Sequence, residues 1–303
     1  MTSPALALTV SENPQDSRGP VDGVRTYARL SILVTISIIT LILATLIIQS
    51  GPAILSTSDS LLTTQWKPSE GIYGILPMIF GSLFVMTIAM AIALPIGGFA
   101  AITVSRIKSP RIKRLWRSAL EILAGIPSIV YGLIGVAYVS IWVASAFDLQ
   151  SGRIILSAAI ILSVMILPTF LSLCEDAISS VPAAYRENAQ ALGLQDYEVE
   201  LYVILPAAAP GIASAALLAL GRALGETMAV MLVIGSLDRI PSPLFNPLSS
   251  GQTITSKLGR EIGESAFGSM HFSVLVLMSL ILVALTISLT VISQRLFRQG
   301  RRG

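Results

Sequence analysis

The sequence has one cysteine and one histidine in 303 residues, and only 12% of it is charged. A lone thiol, Cys174, excludes an internal disulfide and a thiolate metal cluster, and is expected to be a small buried apolar residue. His271 has no Cys, Asp or second His close by in sequence, which argues against a ligand or proton relay and for a ring at a membrane–water interface. No Gly-x-x-x-x-Gly-Lys-Ser/Thr loop occurs, so the chain does not bind ATP in that way. Bases exceed acids by only 20 to 17, too little to argue for nucleic acid. An ordinary soluble domain is about 25% charged. Here 53% of residues are hydrophobic and the mean hydropathy is +0.79, so an integral membrane protein is expected.

Apolar runs of about 20 residues favour a helix bundle over a barrel, whose strands would alternate over roughly ten residues. The expected fold is all-α and polytopic, with six transmembrane helices near 30–49, 77–104, 118–146, 154–173, 207–234 and 272–292. They lie in one transmembrane domain, 26–298. Residues 1–25, rich in Ser, Pro, Asn, Asp and Gly, read as a disordered tail, and 299–303 as a basic one. No basic stretch directly precedes a short apolar core with a cleavage site, so the first span is expected to be uncleaved. Gly51-Pro52 is expected to end it, with Trp66 and Tyr73 as interface anchors. Pro95, Pro127 and Pro168 are expected kinks. Gly125 beside Pro127, and Gly221 with Gly225, are small residues suited to close helix packing.

A dense basic cluster, Arg106, Lys108, Arg111, Lys113, Arg114 and Arg117, follows the second span. Between residues 174 and 206 six acids (Glu175, Asp176, Glu187, Asp196, Glu198 and Glu200) face one base, Arg186. This segment cannot span a membrane. Pro182 and Ala183 start a helix, Gly193 stops it, and Asp196 caps a second one ended by Pro206, which makes 182–206 a hairpin. On alternate sides of the six spans the bases number 14 and 5. The positive-inside rule then puts both termini and the hairpin in the cytoplasm and the 236–271 loop outside. A hairpin so short of bases suggests cover by a partner.

The hairpin reads Arg186-Glu187-Asn188-Ala189-Gln190-Ala191-Leu192-Gly193, then nine residues, then Val203-Ile204-Leu205-Pro206. It resembles the coupling loop of importer-type ABC permeases, Glu-Ala-Ala, three residues, Gly, nine residues, Ile-x-Leu-Pro, with Asn188 and Val203 as departures. The stretches Leu123 to Gly132, Met165-Ile166-Leu167-Pro168 and Gly221 to Val230 are similar to permeases of the bacterial high-affinity phosphate importer. Trp66, Tyr73 to Pro77 and the Ser-Lys-Leu-Gly-Arg-Glu-Ile-Gly-Glu segment favour its PstC-like branch. The resemblance implies an ABC permease fold in a bacterial plasma membrane. It also implies a homologous PstA-like second permease, two cytoplasmic ATPase subunits that bind the ATP and Mg, and an external phosphate-binding protein. Arg186, Glu187, Ala189, Gly193, Leu205 and Pro206 would then couple to the ATPase.

Arg222 and Glu226 stand four residues apart in an apolar segment, at a cost of about 2.5–3.5 kcal/mol each on insertion. A guanidinium suits phosphate oxygens, and a carboxylate can accept a hydrogen bond from protonated phosphate but not from sulfate. They are expected to line the substrate path, Arg222 toward its outer half; a mutual ion pair is the structural alternative. Glu121, four residues after Arg117, reads either as an interfacial ion pair or as part of the path. An intramembrane phosphatase using Arg222, Glu226 and His271 is the enzymatic alternative, but no nucleophile and base arrangement supports it. A permease for sulfate, molybdate or a phosphonate is the alternative within transport.

Overall fold

A computed structural model describes residues 19–107 and 109–299. Most of the expected N-terminal tail, and residues 300–303 of the C-terminal one, lie outside the described residues. Two units are distinguished, one up to Ile48 and one from Gln49. The described part of the first belongs to α1 (Gly19–Ser56), so residues 19–25 of the expected tail are helical. The helix also continues through Pro52 rather than ending there, because a proline removes one backbone donor and leaves the flanking bonds intact.

The second unit begins with α2 (Ser58–Leu61). A small antiparallel hairpin follows, β1 (Trp66–Lys67) and β2 (Ile72–Tyr73), turned through Gly71 at φ +73°. Next come α3 (Leu76–Ser105), α4 (Pro110–Gly125), α5 (Ser128–Ile134), a π-type turn (Gly135–Val139) and α6 (Ser140–Ala146). The chain continues with α7 (Ile155–Ser179), α8 (Ala183–Ala191) and α9 (Asp196–Val199). A π-type stretch, Glu200–Ile204, leads into α10 (Leu205–Gly225), α11 (Met228–Val233), α12 (Ile254–Glu261) and α13 (Met270–Gln299).

Six helical segments are long and apolar enough to cross a membrane: Val24–Ser56, Leu76–Ser105, Ser128–Ala146, Ile155–Ser179, Asp196–Gly225 and Met270–Ile292. The protein is an all-α polytopic membrane protein. Its third span starts at Ser128, ten residues later than 118. The reason is α4, whose bases and apolar residues alternate at helical spacing, so that it suits an interface better than a bilayer interior. Extended backbone at Ile126 and Pro127 breaks it from α5. Pro127 cannot donate to the Leu123 carbonyl, and the Tyr131 hydroxyl does so instead at 2.7 Å.

The second unit is built on α7. Two-thirds of its most apolar window is buried, against 39% or less for the other spans. α3, α4, α10 and α11 pack on it, around Ala89, Ala158, Leu162, Ile166, Phe170 and Ala219. In lipid, such contacts gain dispersion energy rather than freedom from water, so small residues that let backbones approach are favoured. Gly97 admits the Phe170 ring, 2.6 Å from where a Cβ would stand, and Gly132 admits Leu232 at 2.7 Å. Cys174 is buried, as expected.

Candidate functional site

One end of the second unit carries the hairpin. Helix α8 follows Pro182 and ends at Gly193, whose φ of +87° needs no Cβ. Ala189 faces inward at 5% exposure, while Glu187 and Leu192 point out. The second short helix is capped at Gln195 rather than Asp196: the Glu198 carboxylate accepts from the Gln195 N–H at 2.8 Å, and Asp196 accepts from Gln190 at 2.9 Å. Nor does Pro206 end it. The chain passes through Glu200–Ile204 straight into α10, where Pro206 occupies the first turn, the position a helix tolerates best.

The apparent surplus of acid in this segment is settled by tertiary contact. Glu200 is fully buried, and its Oε2 lies 2.9 Å from Arg186 of α8 and 3.6 Å from Arg106 at the end of α3. Glu175, also buried, binds Lys113 and Arg117 of α4 at 2.6 Å each and accepts from Ser179. Arg117 further reaches Asp176 at 2.9 Å. The hydrogen bond and charge of Glu175 raise the Arg117 pKa further. The basic cluster thus clasps α4 to α7 and α3 to the hairpin. Glu121 is exposed and makes no ion pair among the described residues; it lines a cleft of about 320 Å³ with Arg117, Pro168 and Asp176.

Arg222 and Glu226 do not share a helix face. Helix α10 ends at Gly225, and Glu226 has extended backbone, φ −71° and ψ 125°. Its carboxylate accepts from the Ala229 N–H at 3.0 Å, capping α11. Arg222 sits in the last turn of α10, where a cation suits the helix dipole. No hydrogen bond or ion pair engages it among the described residues. Ser214, Leu218, Arg222 and Gly225 are all exposed, one open stripe along α10. A Cβ at Gly125, Gly221 or Gly225 would meet nothing within 4 Å, so none of them makes a close packing contact among the described residues.

Sequence reasoning missed what the 236–271 loop does. Residues 251–257 are all buried, and the Gln252 carbonyl lies against Gly81 of α3. The Ile254 N–H donates to Ser82 at 2.9 Å, and the Thr255 hydroxyl donates to the Glu226 carbonyl at 2.7 Å. Helix α12 therefore closes over the break between α10 and α11. Lys257, 3% exposed, binds Asp238 and Glu261 at 2.6 Å each and lies 4.7 Å from the centre of the Trp66 ring. His271 meets Glu261 at 3.1 Å, lies edge-on to the Trp66 ring and is tilted against Tyr73. It thus engages that cluster rather than Arg222 or Glu226. Trp66 and Tyr73 belong to it too; Tyr73 is 4% exposed, and burial raises its phenol pKa. The available signal was the polar pattern of the Ser-Lys-Leu-Gly-Arg-Glu segment, which no free loop requires.

Residues 93–303 match the family of binding-protein-dependent transport system inner membrane components. The chain is 35% identical over 233 residues to the probable ABC transporter permease protein YqgH of Bacillus subtilis, covering 76% of this chain and 74% of that protein. It is 33% identical over 290 residues to the phosphate transport system permease protein PstC of Haemophilus influenzae, covering 89% and 90%. Its fold is similar to that of a bacterial ABC transporter involved in the import of the acidic polysaccharide alginate, with a TM-score of 0.61 at 14% identity over 92% of this chain and 97% of that one. With coverage this extensive, the chain belongs to the binding-protein-dependent inner membrane component family, as a non-catalytic ABC importer permease subunit related to PstC-like phosphate permeases.

Proposed function

We propose that this permease carries inorganic phosphate across a bacterial plasma membrane, with Arg222 on the path. The observation that carries the reading is the state of Arg222: a guanidinium in an apolar helix, unneutralised by Glu226, on an open stripe of α10 where a Cβ at Gly221 or Gly225 would meet nothing among the described residues. An uncovered arginine in a bilayer is costly, so the stripe needs a polar partner surface. A PstA-like second permease would supply it and place Arg222 between the two subunits. Similarity to a PstC protein supports phosphate, and the guanidinium fork suits its oxygens.

The hairpin end is the cytoplasmic one, supported by the 14-to-5 distribution of bases. Exposed Glu187 of α8 and Leu192 just after it would meet one of two ATPase subunits, which bind ATP and Mg. Motion received there would pass through Arg186 and Glu200 to α10, with Leu205 and Pro206 at its start. Glu121 stands at the inner edge of the path, and a phosphate-binding protein docks at the other end. The test is uptake of labelled phosphate by the reconstituted complex, challenged with excess sulfate, molybdate or a phosphonate. Only unlabelled phosphate is expected to compete strongly; preferential uptake of another anion would overturn phosphate as the substrate.

A further inference from the structure

At the end of the bundle opposite α8, a pocket of about 330 Å³ is lined by Arg153, Met231, Leu232, Gly235, Ser236 and Arg260. It has room for about ten water molecules, and hence for a hydrated tetrahedral anion. No acid lines it. Arg153 precedes α7, and its Nε donates to the Leu232 carbonyl at 2.9 Å, which orients the guanidinium without neutralising it. The main chain at Arg153 is held as well. Its carbonyl accepts from Ser250 at 2.9 Å, and Gly235, at φ +88°, packs against that same carbonyl. Arg260, in the last turn of α12, faces the Ser236 carbonyl at 3.5 Å.

Neither arginine forms an ion pair among the described residues. Nearby Asp238 and Glu261 are both bound to buried Lys257, and Glu261 also to His271. These two carboxylates are thus held toward Lys257 rather than paired with Arg153 or Arg260. We propose that Arg153 and Arg260 form an entry site for a tetrahedral oxyanion, reached before Arg222. Leu232 lies ten residues beyond Arg222, across the break at Glu226–Thr227, so the pocket is further toward the end that receives substrate. That direction, and phosphate as the anion, rest on the proposed function. Two exposed guanidiniums hold an anion weakly and with strong dependence on salt, which suits a site that must pass its ligand on.

The experiment measures binding of inorganic phosphate, and separately of sulfate, to the full detergent-solubilised complex without binding protein, by phosphorus NMR line broadening or equilibrium dialysis. Arg153→Gln, Arg260→Gln and the double variant are compared with wild type, along with their affinity for the binding protein. The double variant is expected to bind phosphate at least fivefold more weakly, with Arg→Lys at both positions intermediate and docking of the binding protein unchanged. Arg260→Gln alone, which gives up a single long backbone contact, keeps the test valid if Arg153 variants do not assemble; it is expected to lose at least twofold. Unchanged phosphate binding in variants of a complex that binds it overturns the entry site. So does a loss confined to docking, which would mean that the arginines hold carboxylates of the binding protein. If wild type binds sulfate but not phosphate and the variants lose sulfate, the entry site stands and phosphate as substrate falls.

Discussion

Arg222 and Glu226 look like a pair in the sequence and behave as two separate helix ends. Each has a local electrostatic reason to be charged: Arg222 at the carbonyl end of α10, Glu226 at the amide end of α11. Their substitutions should therefore differ. Arg222→Gln is expected to lower phosphate uptake at least tenfold while the complex still assembles, read by uptake alongside size-exclusion chromatography. Loss of assembly in parallel with uptake would remove Arg222 from the path. Glu226→Gln keeps an oxygen to accept from Ala229, whereas Glu226→Ala loses the cap at a cost of about 0.5–2 kcal/mol. Thermal unfolding in detergent should order them wild type, Gln, Ala. Lys257→Met leaves two acids facing each other without their shared cation, and about 3–5 kcal/mol of destabilisation is expected, measured in the same way.

Among the elements, α8 and α12 show how the chain couples a surface to a span. α8 is latched through Arg186 to Glu200, which stands in the continuous run from α9 into α10. On the proposed function, a displacement of α8 would be passed by this contact to the base of the helix that carries Arg222. Gly193→Ala imposes a left-handed conformation on a residue with a Cβ, at about 1–2 kcal/mol. ATP hydrolysis by the assembled complex should then persist with reduced uptake per ATP, measured in proteoliposomes. An unchanged ratio would mean that the hairpin geometry does not transmit. α12 is held by close backbone approach at its opposite side. A methyl at Gly81 would collide with the Gln252 carbonyl, so Gly81→Ala is expected to displace residues 251–257, seen as increased hydrogen exchange there.

For the whole molecule, much was legible because it is written locally. Six apolar runs, the hairpin between the fourth and fifth spans, and the Glu187 to Pro206 spacing depend on neighbours in sequence, which hydropathy and turn chemistry report directly. The unpartnered stripe on α10 belongs to this scale too. Gly221→Leu should leave the subunit's own unfolding temperature nearly unchanged, yet reduce copurification of the second permease, because a side chain starting at Gly221 meets nothing within 4 Å of its Cβ among the described residues. Errors arose where one residue's role depends on a distant one. The third span is shorter than the apolar run suggests because α4 is a separate helix before Pro127, two of whose bases, Lys113 and Arg117, are matched by Glu175 and Asp176 some 60 residues away.

Taken alone, the sequence determined the solvent of this protein, the number of its spans and the place of its hairpin, since insertion energy and helix signals accumulate along contiguous residues. Tertiary structure decided which charges neutralise which. It gave buried Glu175 of α7 to the basic cluster and buried Glu200 to Arg186 and Arg106, spent Asp238 and Glu261 on Lys257, and parted Arg222 from Glu226 by a helix break. Charges find partners by distance in space, and in a bundle of long helices that distance bears little relation to separation along the chain.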